Sequence, residues 1–262
     1  MQERHLNRKQ YFNEQADSTR RFVLPYIEAV MPISKETKVL EIGCGEGGNI
    51  LPFIEKGCSV IGVDLNQGKL NMGEEWLNEA MPDSKFKLIN QDIYEWDLSS
   101  DEKFDLIILR DVIEHIHDQD RFMGFMKGLL TPNGKVFFGF PPWYMPFGGH
   151  QQICKKKWTS VAPWYHLLPM PLFKGLLKAF GESERVIESL VEIKDTGIST
   201  ARFLSIVKKH NYSLDKKTRW FINPNYEIKF NLKKRVLIGP LASIPFFRDF
   251  FTTCFYCVIG NK

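Results

Sequence analysis

The chain has 262 residues, 44% of them hydrophobic and 13% aromatic, which is enough apolar material for a sizeable buried core and excludes a disordered or low-complexity polymer. Its net charge of +4 divides unevenly: residues 1–150 hold 16 basic and 23 acidic side chains (−7), whereas residues 151–262 hold 19 and 8 (+11). An acidic half suits a cationic cofactor and a basic half an anionic substrate or surface, although a solvated lysine face is the plainer reading of the second.

The start, MQERHLNRKQYFNEQ, has no apolar leader-like run, so a cytoplasmic location is expected. Residues 9–30 carry apolar side chains at near-helical spacing and predict a helix kinked or restarted at Pro25. The rhythm then shifts to short strand-like runs at 37–43, 59–64, 85–92, 104–111 and 134–140, with helical patterns at 49–56, 66–80 and 118–130. That alternation predicts right-handed βαβ crossovers and an α/β fold with a mostly parallel sheet covered on both faces.

After Phe140 the sequence PPWYMPFGGH is too rich in proline and glycine for a regular element, and it follows the fifth strand, where ligands bind in such sheets. Residues 151–195 read as an irregular segment followed by one or two helices, and residues 197–210 as an amphipathic helix. Residues 218–223 and 226–231 read as a strand or two strand pieces split by Pro224, and residues 251–259 as the last strand. The longest apolar tract, near the C-terminus, is interrupted by Pro240, Pro245, Arg248 and Asp249, so no transmembrane segment is expected. Five irregularly spaced cysteines argue against a disulfide framework. In a strand, Cys254 and Cys257 would point to opposite faces, which disfavours a redox or metal pair.

The stretch VLEIGCGEGGNI, residues 39–50, satisfies G-x-G-x-x-G with Gly43, Gly45 and Gly48, and Asp64 follows about twenty residues on. Counting glycines alone gives a dinucleotide site. A pyrophosphate would meet Glu46 in the loop and Glu41 at the strand end, where like charges at a few ångströms cost on the order of a kcal/mol or more when partly desolvated. S-adenosyl-L-methionine, with its sulfonium and α-ammonium, is the opposite case, and carboxylates near the turn favour it. Asp64 can accept from ribose hydroxyls of either cofactor. Asp92, in NQDIYEWD, can accept from an adenine amino group while Ile93 packs on the ring.

The blocks VLEIGCGEGG, VIGVDLN, INQDIYEW, FDLIILRDVIEHI and LLTPNGKVFFGFPP, within residues 37–141, resemble class I S-adenosylmethionine-dependent methyltransferases in order and spacing. The resemblance implies a Rossmann-like, doubly wound sheet of seven strands in the order 3-2-1-4-5-7-6 with strand seven antiparallel. Residues 1–262 are then expected to form a single domain, with an N-terminal helical cap over 1–30 and an inserted cap or lid over 141–195. Carried over, it places the methionine end of the cofactor near Glu41, Gly43, Cys44 and Gly45. It places the ribose and adenine at Asp64, Leu65, Asp92 and Ile93, and the Arg110 and Asp111 backbone by the methionine moiety.

Methyl transfer is an in-line displacement that needs a general base only when the acceptor holds a proton. His115, in RDVIEHIHD, and His150, after strand five, are the candidates; each has a packing role as its bland alternative. His117 makes an H-x-H with His115, but no third ligand stands at useful spacing, so no metal is expected. Glu114 reads as an orienting acid, Tyr11 as an aromatic closing over the cofactor, and Trp143 and Tyr144, with His150, as the substrate pocket. The expected function is methyl transfer to O, N or C of a small molecule, anionic or apolar. The rivals are a methyltransferase gripping RNA or a lipid surface through the basic half and, behind it, an NAD(P)-dependent dehydrogenase; DNA is not an expected partner.

Overall fold

The apolar runs of the first half lie side by side in a sheet buried on both faces, in a computed structural model that describes residues 7–97 and 102–262. The chain opens with α1 (Arg8–Ser18), a π turn (Thr19–Val23) and α2 (Leu24–Glu28). Then come β1 (Lys38–Ile42), α3 (Leu51–Glu55), β2 (Ser59–Asp64), α4 (Gln67–Ala80), β3 (Phe86–Asn90), β4 (Phe104–Arg110), α5 (Gln119–Lys127) and β5 (Leu130–Phe140). The segment after β5 carries α6 (Lys157–Val161), α7 (Met170–Ala179) and α8 (Glu184–Thr196). The last part consists of α9 (Thr200–Lys209), β6 (Tyr212–Ile222), α10 (Asn225–Phe230), β7 (Arg235–Val236), α11 (Pro240–Ser243), α12 (Phe247–Phe250) and β8 (Cys254–Asn261).

The sheet order is β3-β2-β1-β4-β5-β8-β6-β7. Strands β1 to β5 pair in parallel, and β8 is antiparallel to both β5 and β6. The anticipated winding is therefore present, with β8 in the place of the seventh strand and β6 in that of the sixth. An eighth strand, the two-residue β7, adds an antiparallel edge to β6. Residues 226–231, expected as strand, are instead mostly helix: Asn223 Oδ1 accepts from Asn225 N at 3.0 Å, and Pro224 at φ −50° turns the chain into α10.

Side chains alternate between the two faces as strand geometry requires. Leu106 and Ile108 of β4 pack with α1 to α4, whereas Ile107 and Leu109 pack with Phe122 and Met126 of α5 and Phe203 of α9. Cys254 and Cys257 of β8 fall into opposite clusters, as their spacing requires. The segment after β5 has a separate cluster, in which Phe173 and Leu177 of α7 meet Ile187 and Leu190 of α8.

The N-terminal helix does not restart at Pro25 but runs on through α1, the π turn and α2 in helical dihedrals, widening into the π turn just before the proline, which has no N–H for the ladder. What holds α1 down is its closeness to the glycine loop. A Cβ on Gly48 would lie 2.5 Å from the Phe12 carbonyl oxygen and 2.8 Å from Gln15 Cβ. Phe12 also packs edge-on against Trp76 of α4 at 5.5 Å, and Lys9 pairs with Glu79 at 2.7 Å. The third glycine of the fingerprint thus admits a crossing helix rather than simply opening α3. Gly48→Ala forces α1 off the loop, and urea unfolding should show a loss of about 1–3 kcal/mol; unchanged stability would show that the close approach is not needed.

Candidate active site

At the carboxyl end of β1 the chain turns through Gly43 at φ +72°, a region that L side chains rarely enter. A Cβ there would meet Val112 Cγ2 at 2.6 Å. The Gly43 and Cys44 amides both donate to Val63 O, at 2.7 and 3.1 Å, which pins the loop to the end of β2. Gly45 N donates to Asp64 Oδ2 at 2.9 Å, and Asn66 N donates to Asp64 Oδ1 at 2.8 Å. Asp64 is thereby oriented by two backbone amides and keeps free lone pairs on both oxygens. Asp92 is oriented likewise, accepting from Tyr94 N at 2.9 Å.

These groups border a cavity of about 510 Å³ lined by Gly43, Asp64, Leu65, Asp92, Ile93 and His115, among others. Leu65 is 74% exposed, an apolar rim that a flat ring can cover. Gly43, Asp64, Leu65, Asp92 and Ile93 are thus brought together.

The other residues of the carried-over set are placed differently. Cys44 is buried, with its sulfur against Gly62. Glu41 is fully buried, and its Oε1 accepts from Asn49 Nδ2 at 2.8 Å while Oε2 has no donor. Burial pushes its carboxyl up to about 8, against the Asn49 hydrogen bond and the Arg110 charge, which lower it. Asn49 Oδ1 accepts from Arg110 Nη1 at 2.9 Å, and Arg110 Nη2 donates to Ser18 Oγ at 2.6 Å. The Arg110 side chain therefore runs away from the cavity to the junction of α1 and the π turn. Glu46 is buried and ion-paired with Arg8, whose Nε donates to Oε1 at 2.6 Å. Its charge is met from α1, so Glu46 does not by itself repel a pyrophosphate.

A second cavity, also about 510 Å³, lies beyond β4 and β5 and shares His115 with the first. Its wall includes Tyr11, Asp111, Met145, Phe147, His150 and Tyr226. Tyr11, expected over the cofactor, sits in this second wall, where burial raises its phenol to about 12. Asp111 faces the same cavity at φ 56°, its amide donating to Gly139 O at 2.8 Å. His115 is carried on a 3-10 turn (Ile113–His115), and its ring meets that of His150 edge-on at 5.0 Å. Burial lowers both histidines, His150 to about 3, with His115 and His166 adding repulsion. Both are neutral at pH 7. Beneath them Glu114 is buried with no hydrogen bond to either carboxyl oxygen, and burial and Asp111 push it well above the usual range. One ligand atom from each of Glu114, His115 and His150 lies within 4.8 Å of the others, a grouping that sequence spacing did not indicate because His150 comes from another loop.

Trp143 and Tyr144 are corrections, since neither borders this cavity. Trp143 packs edge-on against His166 at 4.6 Å and covers Gly197, where a Cβ would lie 2.3 Å from its ring. Tyr144 meets Phe246 at 4.7 Å and stacks on Phe250 at 5.5 Å. In their place stand Met145, Phe147 and, from the α10 region, Asn223, Tyr226 and Phe230. The Asn-Pro-Asn turn signal at 223–225 was the available pointer to that second wall.

A parallel sheet with a glycine turn after β1, acids ending β2 and following β3, and a cavity beyond them defines a nucleoside-binding α/β protein of the methyltransferase type. Residues 8–179 match the family model described as a methyltransferase domain, and the chain belongs to that family. The ubiquinone biosynthesis O-methyltransferase of Pasteurella multocida is 31% identical over 108 residues, which cover 38% of this chain and 45% of that protein. That of Pelagibacter ubique is 29% identical over 103 residues, covering 39% and 41%. The chain thus matches less than half the length of these relatives. Among solved structures, magnesium protoporphyrin IX methyltransferase from Synechocystis PCC 6803 with bound SAH shares the fold with a TM-score of 0.57 at 12% identity, covering 97% of this chain and 84% of that one. A putative sarcosine dimethylglycine methyltransferase from Galdieria sulphuraria has a TM-score of 0.58 at 14% identity, covering 93% and 84%.

Glu41 gives the site a pH signature. Its carboxyl ionises near 4.5 when unperturbed and near 8 when folded, so between those values the unfolded chain has shed a proton that the folded one keeps. The resulting loss of stability builds up through that window as pH rises, with a slope approaching about 1.4 kcal/mol per pH unit. Glu41→Gln removes this slope. Urea unfolding of the two proteins across the window should diverge toward alkaline pH in favour of the variant; parallel curves refute the assignment.

Proposed function

We propose that the protein transfers a methyl group from S-adenosyl-L-methionine to a hydroxyl of a small molecule held in the second cavity. The observation that carries this reading is His115, which borders both cavities, so that one neutral imidazole stands where donor and acceptor compartments meet. The family and the O-methyltransferase relatives support it.

The residues present fit the cofactor. Asp64 has lone pairs left for two ribose hydroxyls, Asp92 and Ile93 offer an acceptor and an apolar face for adenine, and Leu65 borders the ring. When bound, the cofactor supplies a methyl carbon already activated by its sulfonium. Asp111, Tyr11 of α1 and the loop after β5 border the acceptor site, Tyr11, Phe147 and Tyr226 offer apolar faces, and His115 is placed to take the proton of a hydroxyl held beside its ring. Glu114, kept protonated by burial, leaves that nitrogen without a competing carboxylate. A metal-assisted variant has one observation in its favour, the grouping of Glu114 with the two histidines; activity unchanged by a chelator removes it.

Two measurements test the reading. Calorimetry should show binding of S-adenosylmethionine, weakened at least tenfold by Asp64→Ala through the lost ribose bonds, and no tighter binding of nicotinamide dinucleotides. In a screen of hydroxylated small molecules with a responsive acceptor, His115→Ala should lower kcat about a hundredfold or more with cofactor affinity little changed. Because burial lowers its pKa below 6.5, wild-type kcat should stay level from alkaline pH to below neutrality and fall on further acidification. An unchanged kcat in the variant rules out His115 as the base.

A further inference from the structure

Two bulky aromatic residues are held in left-handed backbone, Trp164 at φ 59° and Phe246 at φ 67°. That conformation is a strain for such side chains, and burial does not offset it here, because they are 40% and 48% exposed. Both meet Tyr144: the Trp164 indole N–H donates to its carbonyl at 3.1 Å, and the Phe246 ring packs on its ring at 4.7 Å. Around them Phe247 is 56% exposed, Leu241 and Ile244 are exposed, and on α6 Trp158 is 72% exposed. Ile153 and Phe230 line the acceptor cavity and are themselves 37% and 47% exposed, so the cavity reaches the surface within the same apolar region. Exposed apolar groups in this number and grouping mark a surface that something covers.

The charges around the patch identify the cover. Residues 151–181 carry five basic side chains and no acidic one, and so do residues 228–248; the flanking acids are engaged, Glu182 by the Lys155 and Lys156 amides, Glu227 by Arg21 and Asp249 by Thr200. Lys155, Lys156 and Lys157 are exposed directly before Trp158, and Lys233, Lys234 and Arg235 are exposed between Leu232 and Val236. A second copy of this chain docked through the same face would bring like charges together. An anionic bilayer satisfies both features, since tryptophan and phenylalanine enter the headgroup boundary while lysine and arginine meet lipid phosphates. The attachment is superficial: α11 and α12 have four residues each, and no helix among the described residues is long and apolar enough to cross a membrane.

We propose that this face docks on an anionic phospholipid surface, with Trp158, Trp164, Phe246 and Phe247 entering the headgroup region and the two basic clusters meeting phosphate. The docking does not depend on the methyl-transfer reading, and its readout needs no turnover. The full chain is sedimented with vesicles of phosphatidylcholine alone or mixed with phosphatidylglycerol, at low and high salt. Binding is expected only to the mixed vesicles, falling with salt. The exposed triple variant Lys155→Gln, Lys156→Gln, Lys157→Gln should lose about a hundredfold at the usual contribution per basic residue, with its thermal melt unchanged. Phe246→Ser with Phe247→Ser should lose at least tenfold, and the triple variant keeps the test decisive if this pair misfolds. No sedimentation with the mixed vesicles at low salt, or binding untouched by the triple variant, overturns the proposal. So do a dimer in solution that the Phe246 variant dissolves and salt-sensitive RNA binding in place of vesicle binding.

Discussion

A guanidinium buried at the end of a central strand must be surrounded by acceptors, and much of this molecule is arranged by how Arg110 finds them. They come from two places, Ser18 and Thr19 at the end of α1 and Asn49 in the glycine loop. Ser18 closes α1 and Thr19 opens the π turn, so the helix widens where the guanidinium arrives. Through Asn49 the same network reaches Glu41, two residues before Gly43 on β1. The N-terminal helix, the loop and the sheet end are therefore one hydrogen-bonded unit. Displacing α1 and the π turn would leave Arg110 with Asn49 alone and the buried Glu46 carboxylate without Arg8.

That coupling changes the electrostatic argument for the cofactor. Two carboxylates next to the glycine turn argued from sequence against a pyrophosphate, yet Glu46 is neutralised by Arg8 and Glu41 is held largely protonated by burial. Among the acids that line the first cavity are Asp64 and Asp92. The glycines in turn have separate duties. Gly43 supplies the positive-φ turn under Val112, whereas Gly48 makes room for α1, so the G-x-G-x-x-G match is partly a packing motif.

The sequence was most legible where one local pattern decides the outcome. Continuous apolar strands between amphipathic helices announced β1 to β5 and their winding, and the order of the blocks announced the family. Asp64, Asp92 and their apolar neighbours were readable because each sits at a strand end or just past one, and topology brings those ends together. Legibility failed where a side chain could turn either way after an irregular segment. Nothing local said that Trp143 would lie across Gly197 and Tyr144 against Phe246, leaving Met145 and Phe147 for the cavity. The wall from α10 was hidden for a related reason: the aromatic and β-branched residues of 218–223 and 226–231 read as strand, and Pro224 as a split between strand pieces rather than the start of a helix.

Desolvation favours the uncharged forms of the polar groups where the cavities meet, with Glu114 buried, His150 half-buried and His115 reaching solvent. Glu114 keeps its proton, and His115 and His150 are without theirs at neutral pH. A cationic donor gains nothing from a nearby imidazolium, and an acceptor hydroxyl gains nothing from a histidine already protonated. On the proposed reading, neutral imidazoles suit both compartments at once. Asp111, carried at the rim on a left-handed turn, is the charged group that His115 faces, and it works against that desolvation on the histidine while adding to it on Glu114. On the proposed reading, the proton leaving an acceptor would pass to His115, whose imidazolium the Asp111 charge favours.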